Sequence, residues 1–193
     1  MNERTFWFTG LSGAGKTTLS AGLARILENK GHNVHVLDGD EIRKVTGSQD
    51  FSKAGRDRNV QMVGEHARKL NDQGITVICS LISPYEDARN FVRKYIGVER
   101  FSLIYLESDL DTLIARDVKG LYKKAINGEI DNFTGISDPY QPPRNPDLRI
   151  NTAETSVKDS ILTLIEFVEN IKEPKYIEEL PVENLSAQEK VLV

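Results

Sequence analysis

The stretch Gly10-Leu11-Ser12-Gly13-Ala14-Gly15-Lys16-Thr17 carries glycines, a lysine and a threonine at the spacing G-x-x-x-x-G-K-[ST]. Glycines at these places let successive backbone N–H groups turn inward around an anion. A helix N-terminus behind them adds partial positive charge. The flanks suit that reading: an apolar run, residues 5–9, precedes the loop, and Thr18-Leu19-Ser20-Ala21 leads into a helix-forming segment. The pattern predicts a nucleoside triphosphate held by Gly10, Ser12, Gly13, Ala14, Gly15, Lys16, Thr17 and Thr18. Lys16 would reach the β- and γ-phosphates, and the Thr17 hydroxyl would ligate Mg²⁺.

A second acidic cluster, Leu37-Asp38-Gly39-Asp40, closes another apolar run. Ligands gather at the carboxyl ends of strands in open parallel sheets, so both aspartates are expected to face the phosphate loop. There they could orient Mg²⁺ through water or accept a proton from an attacking hydroxyl. The alternative is an Asp-Gly turn in which Asp40 caps a helix beginning Glu41-Ile42-Arg43. No Asn-Lys-x-Asp sequence of the guanine-binding kind occurs. ATP is therefore the expected nucleotide.

The elements that must position these residues are legible in the periodicity. Short apolar runs at 5–9, 33–37, 75–81, 101–106 and 148–151 alternate with helix-period segments at 16–30, 57–72, 85–95, 109–115 and 155–171. Continuous apolar strands separated by helices predict an α/β fold with a mainly parallel sheet covered on both faces. Gly31 stands where a left-handed cap would end the first helix. The length of 193 residues suits one domain, expected at 1–172, with an acidic tail at 173–193. A net charge of −4 argues against a nucleic-acid partner. No apolar run approaches the roughly 18 residues of a membrane span. The single cysteine, Cys79, lies in an apolar run and reads as a buried, inert thiol. These features suit a reducing cytoplasm.

Five blocks together resemble the adenylylsulfate kinase family: Gly-Leu-Ser-Gly-Ala-Gly-Lys-Thr-Thr at 10–18, Leu-Asp-Gly-Asp at 37–40, Ile-Ser-Pro-Tyr at 82–85, Arg-Asp-Val-Lys-Gly-Leu-Tyr-Lys-Lys-Ala at 116–125 and Phe-Thr-Gly-Ile at 133–136. The resemblance implies the P-loop NTPase form of the fold, three α/β/α layers with a mobile lid at about 116–136. It also implies an ATP-dependent kinase acting on the 3′-hydroxyl of adenosine 5′-phosphosulfate, with Mg²⁺ as cofactor, in sulfate assimilation. Members commonly dimerise, so a homodimer is expected. Carried over by position, Lys16, Asp40 and Ser83 would be catalytic. Arg116 would join the phosphate loop on ATP. Asp38, Asp40, Arg43, Phe51, Arg56, Asn59, Ile82, Ser83, Lys119, Leu121, Asn132 and Phe133 would line the acceptor. Within that set, Phe51 and Phe133 resemble the aromatic pair that sandwiches the acceptor adenine. Arg43, Arg56 and Asn59 resemble the groups that hold its phosphosulfate and neighbouring polar atoms. Family members are described with a phosphorylatable serine at the place of Ser83, which here is expected to bind first and to form a covalent intermediate only second.

The chain departs from the family at Gly55, where an aspartate is typical, and at Gln61 and Met62, where two arginines are typical. The loop between Arg43 and Phe51 is also about one residue short. These departures touch the acceptor side. Two alternatives follow: the same kinase acting on another nucleotide, such as cytidine diphosphoramidate, or a nucleotide-binding module without catalysis.

Overall fold

The computed structural model describes residues 3–47 and 50–171. The expected tail at 173–193 lies outside the described residues. Five parallel strands, β1 (Thr5–Thr9), β2 (Val34–Asp38), β3 (Thr76–Ser80), β4 (Phe101–Glu107) and β5 (Leu148–Asn151), form one sheet in the order β2-β3-β1-β4-β5. The helices joining them are α1 (Lys16–Asn29), α2 (Gly39–Thr46), α3 (Lys53–Asn71), α4 (Glu86–Ile96), α5 (Leu110–Arg116), α6 (Leu121–Ile126) and α7 (Val157–Glu169).

Alternation along the strands explains the layers. Phe6 and Phe8 of β1, Ile78 of β3 and Ile104 and Leu106 of β4 enter one core with Leu19, Leu23 and Leu27 of α1 and Leu164 of α7. Trp7, Val77, Cys79, Phe101 and Leu103 point the other way, onto Val60, Val63 and Ala67 of α3 and Ala88, Val92 and Ile96 of α4. Residues one apart on a strand face opposite sides, so a sheet packed on both sides needs unbroken apolar strands. Cys79 is fully buried, and that burial pushes its thiol well above the usual range, which keeps it inert.

Three local expectations need correction. The third helix starts at Lys53, not at 57, because Ser52 caps it by accepting from the Gly55 N–H at 3.1 Å. The second helix is capped by Asp38 rather than Asp40: the Asp38 carboxylate accepts the Asp40 N–H at 2.9 Å, and Asp40 sits in the first turn. Helix α6 lies inside the expected lid, outside the five helix-period segments read from the sequence. It forms because Asp117 accepts from the N–H groups of Tyr122 and Lys123 at 2.9 and 3.0 Å.

With all strands parallel, their carboxyl ends bring together residues 10–15, 38–40, 81–85 and 152 at one edge of the sheet. Gly10 marks the tightest point there. A Cβ on it would lie 2.6 Å from the Leu106 carbonyl of the neighbouring strand, which forbids any larger residue.

Leu164 of α7 is fully buried in the core shared with Leu19, Leu23 and Leu27 of α1 and is no part of the phosphate loop. Leu164→Ala should cost about 2–5 kcal/mol of stability by urea unfolding. Its unfolding slope and the nucleotide affinity of its folded fraction should match wild type.

Candidate active site

The loop between β1 and α1 is built as an anion cradle. Gly13 and Gly15 hold φ of 77° and 88°, conformations that side-chain-bearing residues rarely adopt. Gly15 occupies the N-cap of α1 and offers no side chain, so no side-chain acceptor caps the helix start. Open N–H donors and a positive helix end fit the phosphates of ATP. The loop is braced from outside: the Tyr122 hydroxyl donates to the Ser12 carbonyl at 2.9 Å, and Thr152 Oγ1 to the Ala14 carbonyl at 3.2 Å.

Lys16 folds back onto this loop and donates to the carbonyls of Gly10 at 2.9 Å and Leu11 at 2.8 Å. Desolvation of the ammonium pulls its pKa down to about 8; nearby Asp40 and Asp38 oppose that fall, and Lys119 adds to it.

From Thr17 a line of polar contacts crosses the cleft. Thr17 Oγ1 donates to Asp38 Oδ2 at 3.1 Å, Asp38 Oδ1 accepts from the Asp40 N–H, and Asp40 Oδ2 pairs with Lys119 Nζ at 2.7 Å. Partial desolvation in the cleft pulls the Asp40 carboxyl up. The hydrogen bond from Lys119 and the charges of Lys119, Lys16 and Lys44 outweigh it and leave the group below its ordinary value. Asp40 is therefore ionised at neutral pH. Among the described residues no group of three His, Cys, Asp or Glu forms a metal cage. A hydroxyl beside a carboxylate nevertheless fits Mg²⁺, which takes few protein oxygens and completes its shell with water and phosphate.

The expected acceptor residues fall into two arms. Phe51 is exposed, with the Arg43 guanidinium 4.7 Å and the Arg56 guanidinium 5.6 Å from its ring centre. Phe133 is half-buried and meets Tyr122 edge-on at 5.1 Å. Asn132 holds a positive φ of 53° beside it. Asn59 is buried on α3, and its Oδ1 has no hydrogen-bond partner among the described residues. Leu121 and Ile82 are half-buried; Thr18 is exposed at the first turn of α1. Arg116, exposed at the end of α5, donates to the Thr152 carbonyl at 2.8 Å.

Ser83 is placed differently from a free nucleophile. Its side chain is buried at a strained φ of 38°, accepts from Trp7 Nε1 at 3.1 Å and donates to Thr9 Oγ1 at 3.1 Å. Its carbonyl accepts from the fully buried Arg89 at 2.7 Å.

Gly55 also has a physical reason. A Cβ there would lie 2.3 Å from Asp50 Cγ and 2.5 Å from the Asp50 carbonyl oxygen. The Asp50 carboxylate fills the space a side chain at 55 would take, held by the Ser52 N–H at 3.0 Å and by Arg58. Met62 is exposed on α3. Tyr85, Tyr122 and Asp138 were not singled out in the sequence. Both tyrosines lie inside the matched blocks, whereas Asp138 follows the last block with no signal of its own.

Similarity to known proteins agrees with this geometry. Residues 2–151 match the family model described as adenylylsulphate kinase. The adenylyl-sulfate kinase of Halothermothrix orenii is 48% identical over 86% of this chain and 89% of its own. A probable adenylyl-sulfate kinase of Aeropyrum pernix is 44% identical over 86% and 93%. The Mycobacterium tuberculosis APS kinase CysC, solved in complex with AMPPNP and APS, superposes with a TM-score of 0.81 at 38% identity, covering 87% of this chain and 98% of that one.

The lowered Lys16 predicts a pH profile. Below pH 8 the ammonium is charged and can meet a triphosphate; above it the free protein loses that charge. kcat/KM for ATP should fall by about a decade per pH unit above pH 8. kcat at saturating ATP should persist to higher pH, because bound phosphate favours the charged amine. A flat kcat/KM from pH 7 to 9.5 would contradict the desolvated placement of Lys16.

Proposed function

The chain belongs to the adenylylsulfate kinase family, and from that premise we propose that it transfers the γ-phosphoryl group of ATP to the 3′-hydroxyl of adenosine 5′-phosphosulfate. The products are 3′-phosphoadenosine 5′-phosphosulfate and ADP. The observation that carries the reading is the unbroken line Thr17–Asp38–Asp40–Lys119 beside Lys16. It joins a phosphate cradle to an ionised carboxylate that a purely binding module would not need.

In this reading Lys16 exchanges its two carbonyl partners for phosphate oxygens and follows the charge that develops on them. Thr17, backed by Asp38, would hold Mg²⁺, which would supply neutralisation of phosphate charge. The acceptor 3′-oxygen forms its bond to the γ-phosphorus as the bond to the bridging oxygen of ADP breaks, and the 3′-proton passes to Asp40. Lys119 keeps that carboxylate ionised until then. Residues 116–136 close over the site as a lid that excludes water, with Arg116 on the donor nucleotide. Phe51 and Phe133 hold the adenine, worth about 1–3 kcal/mol per stacked base. Arg43, Asn59 with its unpaired Oδ1, Ile82, Leu121 and Asn132 complete the acceptor site. Ser83 shapes the site floor, since its one proton already serves Thr9; direct in-line transfer needs no phosphoserine.

The departure at Gly55 is compatible with adenylyl sulfate, because the Asp50 carboxylate occupies the place a side chain at 55 would take. Assembly as a homodimer and a cytoplasmic location belong to the same reading. Among the described residues no helix is long and apolar enough to cross a membrane.

ADP release measured against a panel of acceptors tests the assignment. Adenylyl sulfate should saturate at micromolar levels and outperform a cytidine 5′-diphosphate analogue. Stronger turnover with the cytidine compound would replace the acceptor, and no acceptor-dependent release would leave only a binding module. Asp40→Asn should lower turnover about 10²-fold or more while ATP affinity holds. Collapse of ATP affinity with turnover intact would make Asp40 a metal-organising group instead.

A further inference from the structure

Arg56 is a large cation buried to 7% exposure, and its guanidinium is turned toward the protein. Its Nε donates to the Phe51 carbonyl at 3.0 Å and its Nη2 to the Asn132 carbonyl at 2.5 Å. Its Nε also lies 3.5 Å from Asp138 Oδ2, and the Tyr85 hydroxyl donates to both oxygens of that carboxylate, at 2.9 and 3.0 Å. Asp138 in turn closes the turn that carries Phe133: its N–H donates to the Phe133 carbonyl at 3.1 Å, and its carbonyl accepts from Gly135 at 2.7 Å. One guanidinium thus reaches residue 51 of one aromatic arm, residue 132 of the other, and the carboxylate of Asp138, whose backbone braces the second.

We infer that Arg56 is a positioning residue: held by Asp138 and Tyr85, it ties the Phe51 arm to the Asn132–Phe133 arm and sets the gap that receives the acceptor's base. Asp138 and Tyr85 are positioning residues in the same device. A rigid planar fork suits this task, because its donors hold fixed directions toward two carbonyls at once. A buried cation needs a paired carboxylate that is itself hydrogen-bonded, and Tyr85 fulfils that condition. The family resemblance would instead use Arg56 on the phosphosulfate. The two roles differ in what they ask of the ligand: a base gap matters equally to a neutral nucleoside and to its anionic derivative, whereas an anion grip matters only to the latter. The inference rests on the reading of adenine as the acceptor base.

The test measures binding of adenosine and of adenylyl sulfate by calorimetry, with the donor site filled by AMPPNP and Mg²⁺, for wild type, Arg56→Lys and Asp138→Asn. Both variants should lose affinity for both ligands in parallel, about 10-fold each, within the range that stacking of one base supplies. Affinity for AMPPNP, measured alone, should be unchanged, which shows the fold intact. Loss confined to adenylyl sulfate, or unchanged affinity for both, overturns the inference alone. Wild type that binds adenosine but not adenylyl sulfate overturns the proposed acceptor, and the adenosine arm then decides the inference. Wild type that binds neither overturns both.

Discussion

An ammonium group stripped of much of its water, bonded among the described residues to two backbone carbonyls, is the group around which the phosphate loop is arranged. Among the described residues no anion is in direct contact with Lys16, and desolvation pulls its pKa down to about 8. Such a group is stabilised when a triphosphate arrives, because the phosphate oxygens return the negative charge and hydrogen bonds that desolvation removed. The surrounding structure serves that exchange. The left-handed glycines shape the cradle, Tyr122 and Thr152 brace it from outside, and the uncapped start of α1 leaves donors available for the same anion.

The two-sided sheet makes this arrangement possible. Its three inner strands, β3, β1 and β4, are buried on both faces, and only the edge strands β2 and β5 expose residues such as His35 and Arg149. Parallel pairing puts every strand's carboxyl terminus at one edge, so the cradle after β1, the aspartates at β2 and the Ser83 turn after β3 become neighbours although far apart in the chain. Asp38 shows how tightly they are joined, one oxygen bonding Thr17 and the other capping α2. That single carboxylate sets the relation between the phosphate-binding helix and the helix that presents Asp40.

The side proposed to take the acceptor is built on a different principle. Its aromatic arms come from a loop and from the segment after α6, neither supported by sheet hydrogen bonds, so side chains supply the rigidity. Arg56, Asp138 and Tyr85 span the two arms, while Arg89 and the Trp7–Ser83–Thr9 chain hold the floor between them. Gly55 serves the same packing: it leaves room for Asp50. Buried polar networks of this kind specify geometry more than they add stability.

The sequence by itself determined the five strands within a residue or two, the phosphate loop with its lysine and threonine, and the aspartates that follow β2. Each is carried by a local pattern: apolar runs, a fixed glycine-lysine spacing, a strand end. The same local reading missed α6 and the true start of α3, whose caps depend on Asp117 and Ser52 accepting particular N–H groups. The capping role it weighed as the alternative for Asp40 falls instead to Asp38, two residues earlier. The tertiary structure alone decided that Ser83 is buried and doubly hydrogen-bonded, that Arg56 reaches the backbone of residues 51 and 132, and that Asp138 completes its neutralisation. Apart from the Arg56–Phe51 bond, which spans 5 positions, these contacts join residues 53 to 82 positions apart, and a buried side chain's partners are chosen by packing rather than by its neighbours in sequence.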